Sequence, residues 1–318
     1  MNSAPVLILF FNRPDALRAV LERVDAAAPR RVYLACDGPR EGRADDAELT
    51  ERCRRIALER AWKSPPATRF LASNEGCARA VSGAISWFFE REPEGIVLED
   101  DCVPDPSFFR YATELLERYR GDERVMSIDG ASFDMRRREQ GSPSYRFSRC
   151  PHVWGWASWA RAWQHYRLRL TDDEVAALPA DRYPAQSAAT LRGWRRKFRS
   201  VAHDRPATWD YQWTFAHLRR GGLVASPTRN LVTNVPMSTG AHMAGRGLWQ
   251  GMAAESMEFP LRHPGSAEAD RELDAHVEAV HCNHRPWLAR KVHQVLVRHR
   301  LLSDESLRRG FTTGARGD

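Results

Sequence analysis

Five short apolar runs in the first 130 residues each stop at a polar residue, and most lead into a stretch with helical spacing. Residues 6–11 give way to Asn12-Arg13 and then to a helical pattern from Pro14 carrying Leu17, Val20, Leu21 and Val24. Residues 32–36 stop at Asp37-Gly38 before a charged helical stretch over 44–62. Residues 68–72 lead through Asn74-Glu75-Gly76 into a helix with Ala80, Val81, Ala84, Ile85 and Phe88. Residues 95–98 stop at Glu99-Asp100-Asp101 before a helix over 106–119, and residues 125–128 stop at Asp129-Gly130. Short buried strands alternating with helices predict βαβ units and a Rossmann-like, mainly parallel sheet flanked by helices. Ligands of open α/β sheets bind beyond the carboxyl ends of the strands. One polar residue there is readily a cap or a turn, and Asp105 before Pro106 reads as a cap. Five polar strand ends in succession predict a site along this edge.

Composition narrows the chemistry. The net charge is +7 and the pI about 9.3, but the basic residues are almost all arginine, with lysine only at 63, 197 and 291. This bias fits a GC-rich bacterial genome, and the aromatics do not interleave with the basic residues as a nucleic-acid stacking platform requires, so no nucleic-acid partner is expected. The positive excess suits acidic partners such as a nucleoside diphosphate or anionic lipid. No apolar stretch approaches the roughly 18–20 residues of a membrane span, and the short run at the start lacks a basic leader and ends in Asn12-Arg13-Pro14, so a cytoplasmic protein is expected. Six scattered cysteines without a CxxC pair are expected to be reduced core residues. His281-Cys282-Asn283-His284 lacks a second ligand pair at zinc spacing.

Glu99-Asp100-Asp101 is the strongest local signal for chemistry. Consecutive carboxylates at a strand end repel, and a bound cation compensates them. A Mg²⁺ or Mn²⁺ joining one aspartate to a diphosphate stabilises a departing nucleoside diphosphate as a Lewis acid. The alternative is a solvated acidic turn ahead of the next helix. No GxxxxGK[ST] loop and no GxGxxG follows the first strand, which argues against a P-loop NTPase and a dinucleotide dehydrogenase.

The segments FFNRPDAL, ACDG, SNEGCARAV, VLEDDCVPDPSFFRY, WGWASW and TWDYQW together resemble bacterial glycosyltransferases of the GT-A fold. In order and spacing they are similar to the eukaryotic α-mannoside β-1,2-N-acetylglucosaminyltransferase I family, over residues 5–235. The EDD-x₄-P-x-FF portion is the most specific. The resemblance implies a GT-A-like sheet with an acceptor-side C-terminal half, and a hexosyl- or N-acetylhexosaminyltransferase using a UDP-sugar donor and Mn²⁺ (or Mg²⁺). It implies that Asp101 holds the metal and that Arg13, Asp37, Asn74, Arg79, Glu99, Asp100 and Trp156 line the donor, with Asp37 at the uracil. It makes Asp210, in Trp209-Asp210-Tyr211, the catalytic base of an inverting transfer to a glycan, lipid-linked or protein-linked hydroxyl. Inversion needs one carboxylate to deprotonate the acceptor while the leaving group is stabilised opposite. His242 is a second candidate metal ligand. The alternatives for these residues are a helix cap at Asp210 and core packing for the tryptophans of 154–163.

The expected organisation is a nucleotide-sugar-binding half over 1–130, an acceptor and catalytic half over 131–250, and a helical extension over 251–318. The segment 285–309 pairs apolar residues with Arg290, Lys291, Arg298 and Arg300, either packing on the catalytic domain or docking at the inner face of an anionic membrane. Two other functions remain open at this stage. A sugar-nucleotidyltransferase shares the sheet and the metal–carboxylate logic but carries a Gly-rich basic loop after its first strand, which FFNRPDAL lacks. A non-catalytic sugar-binding module needs neither metal nor nucleotide affinity.

Overall fold

A computed structural model describes residues 3–134, 141–184, 187–202, 207–235 and 251–278. Its centre is one sheet of eight strands: β1 (Val6–Phe10), β2 (Val32–Cys36), β3 (Ala67–Phe70), β4 (Glu94–Glu99), β6 (Val125–Asp129), β7 (Tyr145–Ser148), β8 (Trp156–Trp159) and β9 (Leu223–Pro227), in the order β3-β2-β1-β4-β8-β6-β9-β7. A small separate ribbon pairs β5 (Cys102–Pro104) with β10 (Val232–Asn234). β1 runs parallel to β2 and β4, β2 to β3, and β6 to β9, whereas β8 is antiparallel to both β4 and β6 and β7 to β9. The mixed α/β class and the mainly parallel sheet are thus as the apolar runs predict. The carboxyl ends of β1 to β4 share one edge.

β1 and β2 are buried along their whole length and read as unbroken apolar runs because helices cover both faces of the sheet. Alternate residues separate cleanly. Val6, Ile8 and Phe10 pack with Leu17, Val20, Leu21 and Val24 of α1 (Pro14–Ala27), with Cys53 and Ile56 of α2 (Ala44–Leu58), and with Phe108, Leu115 and Leu116 of α4 (Pro106–Arg118). Leu7 and Leu9 pack on the other face with Ala84, Ile85 and Phe88 of α3 (Cys77–Phe89). Asp105 caps α4 as expected, accepting from the Ser107 N–H at 2.9 Å, with Pro106 in the first turn.

The tryptophan-rich segment belongs to the central sheet. Trp156 to Trp159 form a central strand, followed by the single-turn α5 (Ala160–Trp163). Trp156 and Trp159 fall on opposite faces of the sheet. Trp159 packs beneath α4 and donates from its indole N–H to the Leu116 carbonyl at 3.2 Å. Trp156 stacks on Trp209 at 5.8 Å and meets Trp163 and Trp213, the last in α8 (Asp210–Arg220).

A second apolar cluster lies between α6 (Asp172–Ala177), α7 (Ala188–Ser200), α8 and α9 (Arg271–Val277), with Val175, Trp194, Phe198, Phe215 and Leu273 at its centre. The second half of the chain therefore supplies strands to the same sheet and a small helical lobe beside it. Residues 251–270, expected within a helical extension, are irregular because Pro260, Pro264 and Gly265 interrupt any helix there, and Met257 and Leu261 pack into the main core. The segment 285–309 lies outside the described residues. Among the described residues no helix is long and apolar enough to cross a membrane, and the five described cysteines form no disulfide.

Candidate active site

The edge where β1 to β4 end is built by three loops. β1 leaves through Phe11 and Asn12 to Arg13, which occupies the N-cap position of α1 ahead of Pro14. Because β1 pairs in register with β4, Leu9 lies against Glu99, and the acidic run meets the end of β1. The Arg13 guanidinium spans two of these carboxylates. One of its terminal nitrogens is ion-paired with Asp100, and the other donates to Asp101 Oδ2 at 2.9 Å. Asp100 also accepts from the Phe11 N–H at 3.2 Å and is only 1% exposed. It ties β4 to β1 from inside the protein, with almost none of the carboxylate exposed at the edge where its donor contact is expected. Asp101, with 17% of its side chain exposed, is the one that reaches the edge.

The electrostatics show a shortage of positive charge. Burial, then Asp101 and Asp100, push the half-buried Glu99 carboxyl well above its ordinary value, and Arg13 only partly offsets this. Burial likewise raises Asp100 against the opposing effect of Arg13. Burial disfavours the Arg13 cation, yet Asp100, Asp101 and Glu99 outweigh it and hold the guanidinium protonated.

Asp37 and Asn74 join the β2 and β3 loops. Asp37 Oδ1 accepts from the N–H groups of Gly38 (2.8 Å) and Glu75 (2.9 Å), and Oδ2 from the Asn74 amide (2.9 Å) and the Gly76 N–H (3.2 Å). An ionised carboxylate has about four acceptor positions, and here the chain fills them. This carboxylate, expected at the uracil, fastens two loops. Burial raises its pKa further than those backbone N–H groups lower it. The loops touch so closely that a Cβ on Gly38 would lie 2.3 Å from the Ser73 carbonyl carbon, a backbone atom that has nowhere to move. Gly38→Ala is expected to lower the melting temperature by several degrees, at about 1–3 kcal/mol for overpacking, and to weaken nucleotide binding in the same protein; a melting curve and a binding titration check both.

Asp210 approaches from the other half of the chain. It opens α8, with Trp209 at the cap position, and accepts a short hydrogen bond from the Thr208 hydroxyl instead of capping the helix. Its charge acts on Glu99, on Cys77, the first residue of α3, and on Tyr166, so Asp210 lies within electrostatic range of the acidic run. Trp156, expected against the donor, is 1% exposed, with its ring covered by Trp163, Trp209 and Trp213. The tryptophans form core, and by anchoring Trp209 and Trp213 they fix where Asp210 emerges. Arg79 lies exposed on the first turns of α3. Asp129 is fully buried at the end of β6, accepting from the His152 N–H at 3.1 Å, so this polar strand end belongs to the interior.

His242 lies outside the described residues; Val235, ahead of it, donates to the Asp101 carbonyl at 2.8 Å. Sequence reasoning missed Thr208, which orients Asp210, and the clamp in which Asp46 at the start of α2 accepts from Asn12 and Arg40. The acidic first turn of α2, Asp45-Asp46, was the only signal for that clamp.

Among the described residues no three His, Cys, Asp or Glu side chains converge on a metal position. The acidic run nonetheless fits a hard divalent cation held by few carboxylates: its donors are all oxygen, Asp101 is accessible, and one arginine faces three acidic groups.

No family model and no curated protein matches the sequence. Among solved structures the chain is similar to the mannosyltransferase PcManGT from Pyrobaculum calidifontis in complex with GDP-Man and Mn²⁺, at 13% identity over 69% of this chain and 70% of that one, with a TM-score of 0.39. It is also similar to the galactosyltransferase LgtC in complex with donor and acceptor sugar analogues, at 13% identity over 70% of this chain and 72% of that one, with a TM-score of 0.33. Likeness at this level leaves the chemistry to the chain's own residues.

Proposed function

We propose that the chain is a metal-dependent GT-A-type glycosyltransferase that moves a sugar from a UDP-sugar to a hydroxyl acceptor on a glycan, lipid or protein, with inversion. One observation supports this reading: an accessible carboxylate, Asp101, sits beside Arg13 at the end of β4, and a second carboxylate, Asp210, at the start of a helix from the other half of the chain, lies within electrostatic range of the same acidic run. Both lie beyond the carboxyl ends of parallel strands, where such sheets bind nucleotides.

In this reading Arg13 faces the diphosphate, and Asp101 holds Mn²⁺ or Mg²⁺, which when bound supplies Lewis-acid stabilisation of the leaving diphosphate. Asp210 takes the acceptor proton, with Thr208 fixing one of its oxygens so that the other points to the acceptor. The tryptophans behind α8 hold that geometry rigid. Glu99, half-buried at the end of β4 and within electrostatic range of both Asp101 and Asp210, faces the donor sugar. The bond formed joins the acceptor oxygen to the anomeric carbon, the bond broken is that between the anomeric carbon and the diphosphate oxygen, and the proton passes to Asp210.

Thermal stability in the presence of UDP and Mn²⁺ tests the proposal. The melting temperature is expected to rise with UDP and Mn²⁺ together, following the logarithm of ligand concentration. A melting temperature indifferent to the pair at every concentration contradicts a donor site here.

A further inference from the structure

Arg13 bridges two carboxylates of the acidic run. Its guanidinium is three-quarters buried, bridges Asp100 and Asp101, and takes one oxygen of the carboxylate that the proposed function assigns to the metal. The other Asp101 oxygen accepts weakly from the Cys102 thiol at 3.4 Å. A divalent ion arriving alone must therefore compete with a resident positive charge a few ångströms away, in surroundings of low effective dielectric. A diphosphate changes the balance. It offers Arg13 an anionic partner suited to its planar fork of donors, and it offers the metal phosphate oxygens.

We propose that Arg13 is an internal counter-ion of Asp100 and Asp101 which is exchanged onto the diphosphate, so that metal and nucleotide enter this site as a pair and each binds poorly alone. The inference rests on the donor-site reading above and concerns how that site loads. Asp100, buried and also held by the Phe11 N–H, stays fixed through the exchange, and Asp101 is the carboxylate released. The bridge ties the end of β4 to the start of α1. During loading, linkage requires that UDP raise the affinity for Mn²⁺ by the same factor as Mn²⁺ raises that for UDP.

The test is Mn²⁺ binding to the full chain, followed by electron paramagnetic resonance and calorimetry, with and without UDP, in wild type and Arg13→Met. In wild type, Mn²⁺ alone is expected to bind weakly and UDP to tighten it by about tenfold or more, within the usual span of coupling between sites. In Arg13→Met, Mn²⁺ alone is expected to bind about tenfold more tightly than in wild type, because its competitor is gone, while UDP binds less well and the mutual enhancement shrinks. Loss of a ligand-binding residue thus strengthens one ligand, which a merely structural arginine would not produce. Arg13→Lys, which keeps the charge but cannot bridge two carboxylates, is expected to fall between, and it carries the test if Arg13→Met does not fold. If wild type binds Mn²⁺ and UDP but the variants bind Mn²⁺ alone no better than wild type, the exchange is overturned and the donor site stands. If wild type binds neither under any condition, the donor site falls and the exchange with it.

Discussion

Asp210→Asn is expected to cut sugar transfer by about a thousandfold, in the middle of the range for general-base catalysis, while nucleotide binding stays close to wild type. The substitution keeps the size of the side chain and its capacity to accept from Thr208, so α8 keeps its start and the tryptophan cluster behind it is untouched. What it removes is the ability to take a proton from the acceptor hydroxyl. Transfer rates measured at saturating donor, together with a separate nucleotide titration, make the distinction. If the variant transfers as fast as wild type, Asp210 is not the base.

Asp101→Ala has the second large effect. It is expected to abolish the Mn²⁺ dependence of UDP binding, so that the thermal shift produced by the pair disappears. The unliganded protein is expected to remain folded, because Asp101 lies at the edge and Arg13 keeps its buried partner Asp100. A variant that melts like wild type and still gains stability from UDP plus Mn²⁺ would remove Asp101 from the metal role.

The first half of the fold was legible because parallel strands covered on both faces must be apolar throughout and must end somewhere polar. Four such ends on neighbouring strands mark the site edge even without coordinates. The second half was not legible in the same way. Trp156 to Trp159 is only four residues long and sends its two tryptophans to opposite faces, too short a pattern to mark it as a central strand. Asp37 and Asp100 show a further limit. A sequence displays a carboxylate but not what the chain already places on it: four hydrogen bonds at Asp37, and the Phe11 N–H and Arg13 at the buried Asp100. Thr208 was invisible for a simpler reason, since a lone threonine ahead of a helix carries no pattern. The separation of Asp101 from Asp100 is the most useful gain: adjacent in sequence, one is interior structure and the other faces the edge.

The central claim, that this edge binds and activates a nucleotide-sugar, is tested most directly by incubating the protein with a panel of UDP-, GDP- and other nucleotide-sugars, with and without Mn²⁺, and measuring release of the nucleoside diphosphate. The account predicts slow, Mn²⁺-dependent release from a UDP-sugar that disappears in Asp101→Ala. Release from no donor in the panel, or release indifferent to both Mn²⁺ and Asp101, would contradict it.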